Sequence, residues 1–306
     1  MKKWLAIAAC VISSAAFAND AIRLIVPFAA GGPGDRVARM AQKDLQAAGR
    51  TVLVENRPGG NGDIALNHML QVGKTETVLM IVGTPLGFAT KPQLDNIGIE
   101  AVADIGRTPL IITAPRGGKI SSMQQLLALP ATEPVNYGNA GRASLSYLIG
   151  ETIKSQSQKN LVGVSYPGGA RMLVDLLGGR LDIGISNMGD VVQHIETQQL
   201  VALAVTGSRR VSELPSVPTL AELGVKDSVV YSHLMLLGLE SNSRADVAFV
   251  QSTLTASLNN AATAQPYLRE GLTVAPGSKV MPAQWWQREV LRLRDVIARN
   301  RIQMSE

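Results

Sequence analysis

The stretch Ile22-Arg23-Leu24-Ile25-Val26-Pro27-Phe28-Ala29-Ala30-Gly31-Gly32-Pro33-Gly34-Asp35 decides the fold. It opens with a short apolar run of the kind that forms a strand buried on both faces. Small residues and glycines then break the run. From Asp35 an amphipathic helix is predicted through Val37-Ala38-Arg39-Met40-Ala41. A strand, a glycine turn and a helix start present bare backbone N–H groups at the positive end of a helix dipole. Such an arrangement binds anions.

The same unit recurs downstream. Thr51–Glu55 reads as a second strand, Asn56–Gly62 as a long turn, and Asp63 as the cap of a helix over Ile64–Val72. Val78–Val82 reads as a third strand, ending at Gly83-Thr84-Pro85. Alternating strands and helices predict an α/β fold with a parallel, doubly wound sheet. Ligands in such sheets sit beyond the carboxyl ends of the strands. Leu110–Ala114 is a further strand, and a second α/β series follows it. That series has strands at Val135–Tyr137, Leu161–Val164, Leu181–Ile185 and Val201–Val205, and helices at Leu145–Lys154 and Ala170–Leu177. Pro218–Leu223 reads as a short helix, Ser228–Gly238 as strand-like, and the tail as helical. The strands near Leu110 and Met235 read as two crossings between lobes. This predicts a discontinuous lobe of residues 19–115 and 230–306, an inserted lobe of residues 116–229, and a ligand cleft between hinged halves.

The first 18 residues read as a secretory signal: Met1-Lys2-Lys3, an apolar run from Trp4 to Ile12, then Ala16-Phe17-Ala18 before cleavage. The run is too short for a membrane span. A lipoprotein box at Ile7-Ala8-Ala9-Cys10 would leave an apolar region of only a few residues. Cleavage after Ala18 leaves 288 of the 306 residues and lowers the formal net charge from +5 to +3. The single cysteine, Cys10, departs as well, which excludes disulfides, thiol nucleophiles and cysteine metal sites from the remainder. No basic cluster or basic-aromatic stripe points to nucleic acid. The expectation is an exported, periplasmic monomer.

These motifs, in their order, resemble the Bug (TctC-like) periplasmic solute-binding proteins of tripartite tricarboxylate transporters. The resemblance is carried by Ile22–Phe28 with Gly31-Gly32 and Asp35, and by Val54–Gly62. It continues in Tyr137-Gly138 with Gly141 and Glu151, Tyr166–Gly169, Asp175–Asp182, Ala202–Thr206 and Leu214–Glu222. It implies a two-lobed Venus flytrap fold, each lobe a mainly parallel sheet flanked by helices. It implies capture of a small organic carboxylate, without cofactor or metal, for delivery to inner-membrane permease subunits. A sensor kinase as the listener is the alternative. Carried over residue by residue, the ligand contacts fall on Phe28, Gly32, Gly34 and Asp35, with Thr84 and Pro85 nearby. In the second lobe they fall on Gly141, Ala143, Ser144, Tyr166, Gly168, Gly169, Asn187 and Asp190. The sequence departs from the family at Pro33-Gly34, where relatives often carry a hydroxyl.

Each site residue has a plainer reading beside the functional one. Asp35 gains about 0.3–1 kcal/mol from the helix dipole in a first turn regardless of any ligand. Alternatively it orients the loop or meets a cationic group. Arg142 stands before a helix, where it can pair with a second ligand carboxylate or remain solvated. Ser144 is either a hydroxyl donor to ligand or part of its own helix start. A dinucleotide site is disfavoured, because Val37 replaces the third glycine of the G-x-G-x-x-G pattern. The three histidines, His68, His194 and His233, show no metal-ligand spacing, and no G-x-S-x-G element is present. The sequence therefore predicts a binding protein rather than an enzyme.

Overall fold

The computed structural model describes residues 21–270, 272 and 283–304. The expected signal segment, 1–18, lies outside them. The described chain divides into two compact units. Unit 1 comprises Met1–Gly83, Gln93–Gly106 and His233–Trp286, and unit 2 comprises Thr84–Pro92, Arg107–Ser232 and Gln287–Glu306. The boundaries read from sequence put Thr84–Pro92, Arg107–Pro115, 230–232 and Gln287–Glu306 with the first lobe, whereas contacts group these segments with unit 2.

Unit 1 is built on the opening motif. Strand β1 (Ile22–Val26) lies between β2 (Val52–Asn56) and β3 (Val78–Val82), parallel to both. The registers Ile22↔Val52 and Arg23↔Val78 bring the carboxyl ends of all three strands to one edge. Helix α1 (Pro33–Ala47) follows β1, and α2 (Asp63–Val72) joins β2 to β3. Val37, Ala38, Ala41 and Leu45 of α1 are buried in a cluster with Leu24, Val26 and Ile81. Each such side chain contributes about 1.5–3 kcal/mol relative to exposure if it is a full-sized aliphatic. Helix α2 is capped by Gly62, at φ +92°, rather than by Asp63, which is already helical. The glycine-rich turn enters through a left-handed residue, so the cap falls one position earlier than the side-chain rule places it.

Two strands depart from the parallel pattern. After the short helix α3 (Leu86–Ala89), β4 runs from Ile99 to Pro115, far longer than the Leu110–Ala114 segment legible in sequence. Gly106, Arg107, Thr108 and Pro109 interrupt its apolar run without ending the strand. The chain passes from unit 1 to unit 2 within β4, between Gly106 and Arg107.

In unit 2, α4 (Met123–Ala128), β5 (Val135–Asn139), α5 (Leu145–Ser157), β6 (Leu161–Ser165), α6 (Gly169–Leu177), β7 (Ile183–Asn187), α7 (Met188–Glu196) and β8 (Leu200–Val205) follow. Strand β5 is parallel to β6 and β7. The second half of β4 pairs antiparallel with β7 and β8. Tyr137 is fully buried in β5, where its ring lies against Gly150 of α5 and Gly163 of β6. A Cβ on Gly150 would stand 2.1 Å from Tyr137 Cε2. The Tyr137 hydroxyl donates to Glu151 Oε1 at 2.7 Å. This explains in packing terms why small residues at 150 and 163 accompany the tyrosine.

Pro218–Leu223 is not a helix. Thr219 bridges to Val205, and its N–H and the Glu222 N–H exchange bonds with each other's side chains. This reciprocal cap starts one turn. Gly224, at φ +83°, then ends it. Strand β9 (Tyr231–Leu239) returns the chain to unit 1 between Ser232 and His233, and pairs antiparallel with β3. Helices α8 (Arg244–Asn259) and α9 (Ala261–Arg269) pack Val250, Leu254 and Tyr267 into the unit 1 core. Helix α10 (Ala283–Arg299) completes the described elements. No helix among the described residues is long and apolar enough to cross a membrane.

Candidate functional site

In unit 1 the candidate residues Phe28, Gly32, Gly34 and Asp35 form one loop between β1 and α1. Asp35 is 2% exposed and holds that loop together. Its Oδ2 accepts from the Gly31 N–H and from Arg39 Nε, both at 2.9 Å, and its Oδ1 accepts from Asn56 Nδ2 at 2.8 Å. Burial alone would raise its pKa. The bonds from Arg39, Gly31 and Asn56 outweigh burial and lower it below the usual carboxylate value. Asn56 also donates to the Phe28 carbonyl at 3.1 Å, and Arg36 Nη1 to the Gly31 carbonyl at 3.0 Å. Asp35 therefore orients the loop, and its oxygens are already engaged.

The loop's amides divide into used and free. The Gly31 N–H is held by Asp35 and the Gly32 N–H by the Ala29 carbonyl. Pro33 has no N–H. Among the described residues, the N–H groups of Gly34 and Asp35 at the start of α1 have no partner. A Cβ on Gly34 would fall 2.3 Å from Phe28 Cδ2, so a larger residue there displaces the exposed Phe28 ring. The half-exposed Phe28 ring thus covers the Gly34 backbone.

In unit 2 the candidate residues gather at the carboxyl ends of β5, β6 and β7. Asn139, fully buried, is the organiser that sequence reasoning missed. Its Oδ1 accepts from the Gly141 N–H and from Ser165 Oγ, both at 3.0 Å. Its Nδ2 donates to the Val164 carbonyl, and its own carbonyl accepts from the Tyr166 N–H. Gly141 turns the chain at φ +111°. Ser144 caps α5: its Oγ accepts from the Tyr147 N–H at 3.2 Å and donates to the Gly141 carbonyl at 2.6 Å. Its hydroxyl is thus spent on the helix start. Ser146, also unrecognised in sequence, accepts from the Ala140 N–H at 3.0 Å. With these bonds made, the N–H groups of Arg142, Ala143, Leu145 and Ser146 have no partner among the described residues. The exposed Arg142 has no carboxylate partner there either, and its guanidinium lies 5.9 Å from the Tyr147 ring centroid.

Tyr166 donates its hydroxyl to Asp175 Oδ2 at 2.8 Å, and Asp175 in turn accepts from Arg180. Burial and the Asp175 carboxylate raise the tyrosine's pKa. Its ring packs on the unit 2 core, and its polar end is occupied by Asp175. Gly168, at φ +105°, caps α6, and Gly169 begins it. Asn187 and Asp190 stand at the start of α7. Asp190 Oδ2 lies 3.7 Å from where a Cβ on Gly169 would stand. The three loops of unit 2 therefore form one group. Thr84 and Pro85 fall within unit 2 by contact, at the start of α3, where Thr84 Oγ1 accepts weakly from the Leu86 N–H at 3.4 Å.

The histidines have local partners: His68 with Glu55, His194 with Gln199 and His233 with Asp104. Among the described residues no group of three or more His, Cys, Asp or Glu side chains is placed to hold a metal ion. What the two groups of loops offer is backbone N–H donors at helix starts, held rigid by buried side chains.

Comparison with known proteins bears on this geometry. A family model described as the tripartite tricarboxylate transporter family receptor, TctC, matches residues 37–301. A UPF0065 protein of Bordetella bronchiseptica is 32% identical over 208 residues, 66% of this chain and 62% of that protein, so the chain spans just under two thirds of it. Protein BugT of Bordetella pertussis is 27% identical over 275 residues, 87% of this chain and 84% of its own. The solved periplasmic binding protein BugD is similar with a TM-score of 0.72 at 25% identity, covering 92% of this chain and 98% of that one. MatC from Rhodopseudomonas palustris, solved with bound malate, has a TM-score of 0.72 at 22% identity over 90% of this chain and 98% of its own. A further R. palustris protein, solved with adipate, has a TM-score of 0.72 at 24% identity over 92% and 97%. The fold is that of these binding proteins.

Proposed function

Because the chain belongs to the TctC family of tripartite tricarboxylate transporter receptors, we propose that it is a periplasmic solute-binding protein that captures a small organic carboxylate and delivers it to a membrane transporter. The family consists of binding receptors and not of enzymes. The observation that carries the proposal is the start of α5. Asn139, Ser144 and Ser146 consume the surrounding hydrogen bonds, and among the described residues the amides of Arg142, Ala143, Leu145 and Ser146 remain open beside an arginine that has no carboxylate partner. An anion meets several donors there at the positive end of a helix. The open amides of Gly34 and Asp35 offer a second, smaller cradle.

Each hydrogen bond to a charged group contributes about 1.5–3 kcal/mol. Four or five of them, less the ordering cost, reach the roughly −8.2 kcal/mol of a micromolar site. Malate and adipate, carried by two structural neighbours, are both small carboxylates. Capture needs no covalent step, and the permease subunits receive the loaded form. The protein acts as a monomer after removal of residues 1–18.

The test is a melting assay on protein freed of co-purified ligand by unfolding and refolding. A ligand at a hundredfold its Kd stabilises by about 2.7 kcal/mol. In a protein of this size that raises Tm by roughly 5–10 °C. A panel of mono-, di- and tricarboxylates at millimolar concentration is expected to contain at least one that does so. A refolded protein whose melting responds to none of them contradicts the proposal.

A further inference from the structure

Three stretches of unit 1 alternate along the chain with three of unit 2, so the chain passes between the units at five places. Four of the five meet at His233. This residue is the first of β9 on the unit 1 side, and it is 4% exposed. Its N–H donates at 2.9 Å to the carbonyl of Gly83, the last residue of unit 1 as the chain leaves β3. Its Nδ1 lies 3.5 Å from Oδ1 of Asp104, two residues before Gly106, where β4 leaves unit 1. Its ring centroid stands 5.2 Å from that of Trp285, one residue before Trp286, where α10 leaves unit 1. Gly83, Asp104, His233 and Trp285 all belong to unit 1.

The charges in this group do not balance. The Asp104 side chain is 10% exposed, and His233 is its one partner among the described residues. A buried charge is costly unless it is paired. A carboxylate only accepts, so Nδ1 carries a proton toward Asp104 and Nε2 is left to take a second. Histidine is the side chain whose charge changes between pH 5 and pH 8. An imidazolium at this position faces a carboxylate and an indole ring together, and both attract a cation. Side chains two apart on a strand share a face. Tyr231 therefore lies on the same face of β9 as His233, and it holds the Arg107 guanidinium 4.5 Å from its ring centroid. Around the imidazole, then, β4 brings the Asp104 carboxylate, α10 the uncharged Trp285 ring and the end of β3 the Gly83 backbone, with Arg107 one step along β9.

We propose that His233 is a proton-operated tie on the segments that leave unit 1. With the imidazole neutral, β3, β4 and α10 are held at β9 by the Gly83 bond, one long bond to Asp104 and ring packing. Proton uptake at Nε2 turns the Asp104 contact into an ion pair and the Trp285 contact into a cation–π pair. Both reach segments other than β9, so a single proton fastens β4 and α10 to it within unit 1. Acid firms these segments and base loosens them. The tie stands whatever ligand the chain takes.

The experiment follows the ligand-free protein across the histidine range, from pH 8 to pH 5. The Trp285 indole N–H is read in 15N spectra, assigned with Trp285→Phe, and tryptophan emission is recorded in parallel, since an imidazolium quenches a neighbouring indole. The Trp285 resonance is expected to shift and the emission to fall, reversibly and along one single-proton curve. His233→Gln is expected to abolish both changes, and Asp104→Asn to remove most of each. Amide hydrogen exchange, expressed relative to a free chain at the same pH, reads the fastening itself. Protection of residues 102–107 and 233–237 is expected to be several-fold greater at the acid end in the unaltered protein and equal at both ends in His233→Gln. The titration of the unaltered protein decides the matter without any variant: a Trp285 resonance and emission constant across the range overturn the tie. A response that survives His233→Gln places the proton elsewhere and overturns it too. Equal protection at both ends while the Trp285 signal titrates shows a proton that fastens nothing, and that also overturns it.

Discussion

Replacing Asp35 by Ala removes the anchor of the loop after β1. Three bonds are lost, from Gly31 N–H, Arg39 Nε and Asn56 Nδ2. Bonds to a charged group are worth about 1.5–3 kcal/mol each, so the gross loss is roughly 5–9 kcal/mol. Not all of it appears. The Arg39 side chain is 51% exposed and regains water when released. Removing one member of a buried, hydrogen-bonded charge pair typically costs about 3–5 kcal/mol, and the exposure of Arg39 places this case at the low end, about 3 kcal/mol. With a slope near 3 kcal/mol per molar urea, the unfolding midpoint falls by about 1 M. Asp35→Asn is intermediate, since an amide keeps one acceptor but turns its NH2 toward a donor. The bonded carboxylate also sets a pH signature. The folded pKa is lowered, so the stabilisation is complete above the unfolded value of about 3.9 and is lost as pH falls through the folded value. The difference between the native protein and Asp35→Ala should therefore be constant from pH 8 to pH 5 and shrink below pH 4. A midpoint shift under about 0.3 M at pH 7, or one that persists undiminished at the lowest pH, refutes the anchoring role.

Other substitutions probe neighbouring parts. Gly150→Ala drives a methyl into the Tyr137 ring and should destabilise by about 1–3 kcal/mol or more, read as a lower urea midpoint; an unchanged midpoint contradicts the packing described. Ser144→Ala removes the α5 cap, costing about 1 kcal/mol, and should weaken ligand binding in calorimetry because the open amides lose their alignment. Glu55 accepts from Arg57, Arg23 and His68, which together overcome its burial and bring its pKa down to about 2. Its stabilising effect is present at neutral pH and lost between pH 4.5 and pH 2, so Glu55→Gln should cost at most about 3 kcal/mol at pH 7 and almost nothing near pH 2.

The opening unit was legible because it is local. An apolar run, glycines and a 3.6-residue period fall within one stretch, and β1 and α1 form where those signals place them. Where several weak signals had to be joined across distance, legibility fell. The first half of β4 was hidden by Gly106 and Pro109, and its strand state depends on neighbours far away in sequence. The turn at Pro218 carried a helix-like start, but its stop at Gly224 came after a single turn. The roles of Asp35 and Ser144 lay open between ligand contact and local support, and the structure adds the local bonds each side chain makes. Asn139 and Ser146 gave no signal at all. A polar residue near the end of a strand or in the first turn of a helix is common, and only the list of its partners separates an organiser from a bystander.

The proposed function stands or falls on whether the open backbone amides at the start of α5 hold a carboxylate. Amide NMR spectra of the 15N-labelled, ligand-free protein, recorded as a binding carboxylate is added, test it most directly. The expected result is saturable shifts, with one shared affinity, for the amides of Arg142, Ala143, Leu145 and Ser146, while that of Gly141, already bonded to Asn139, moves less. Saturable binding that leaves the Arg142–Ser146 amides unmoved would contradict it.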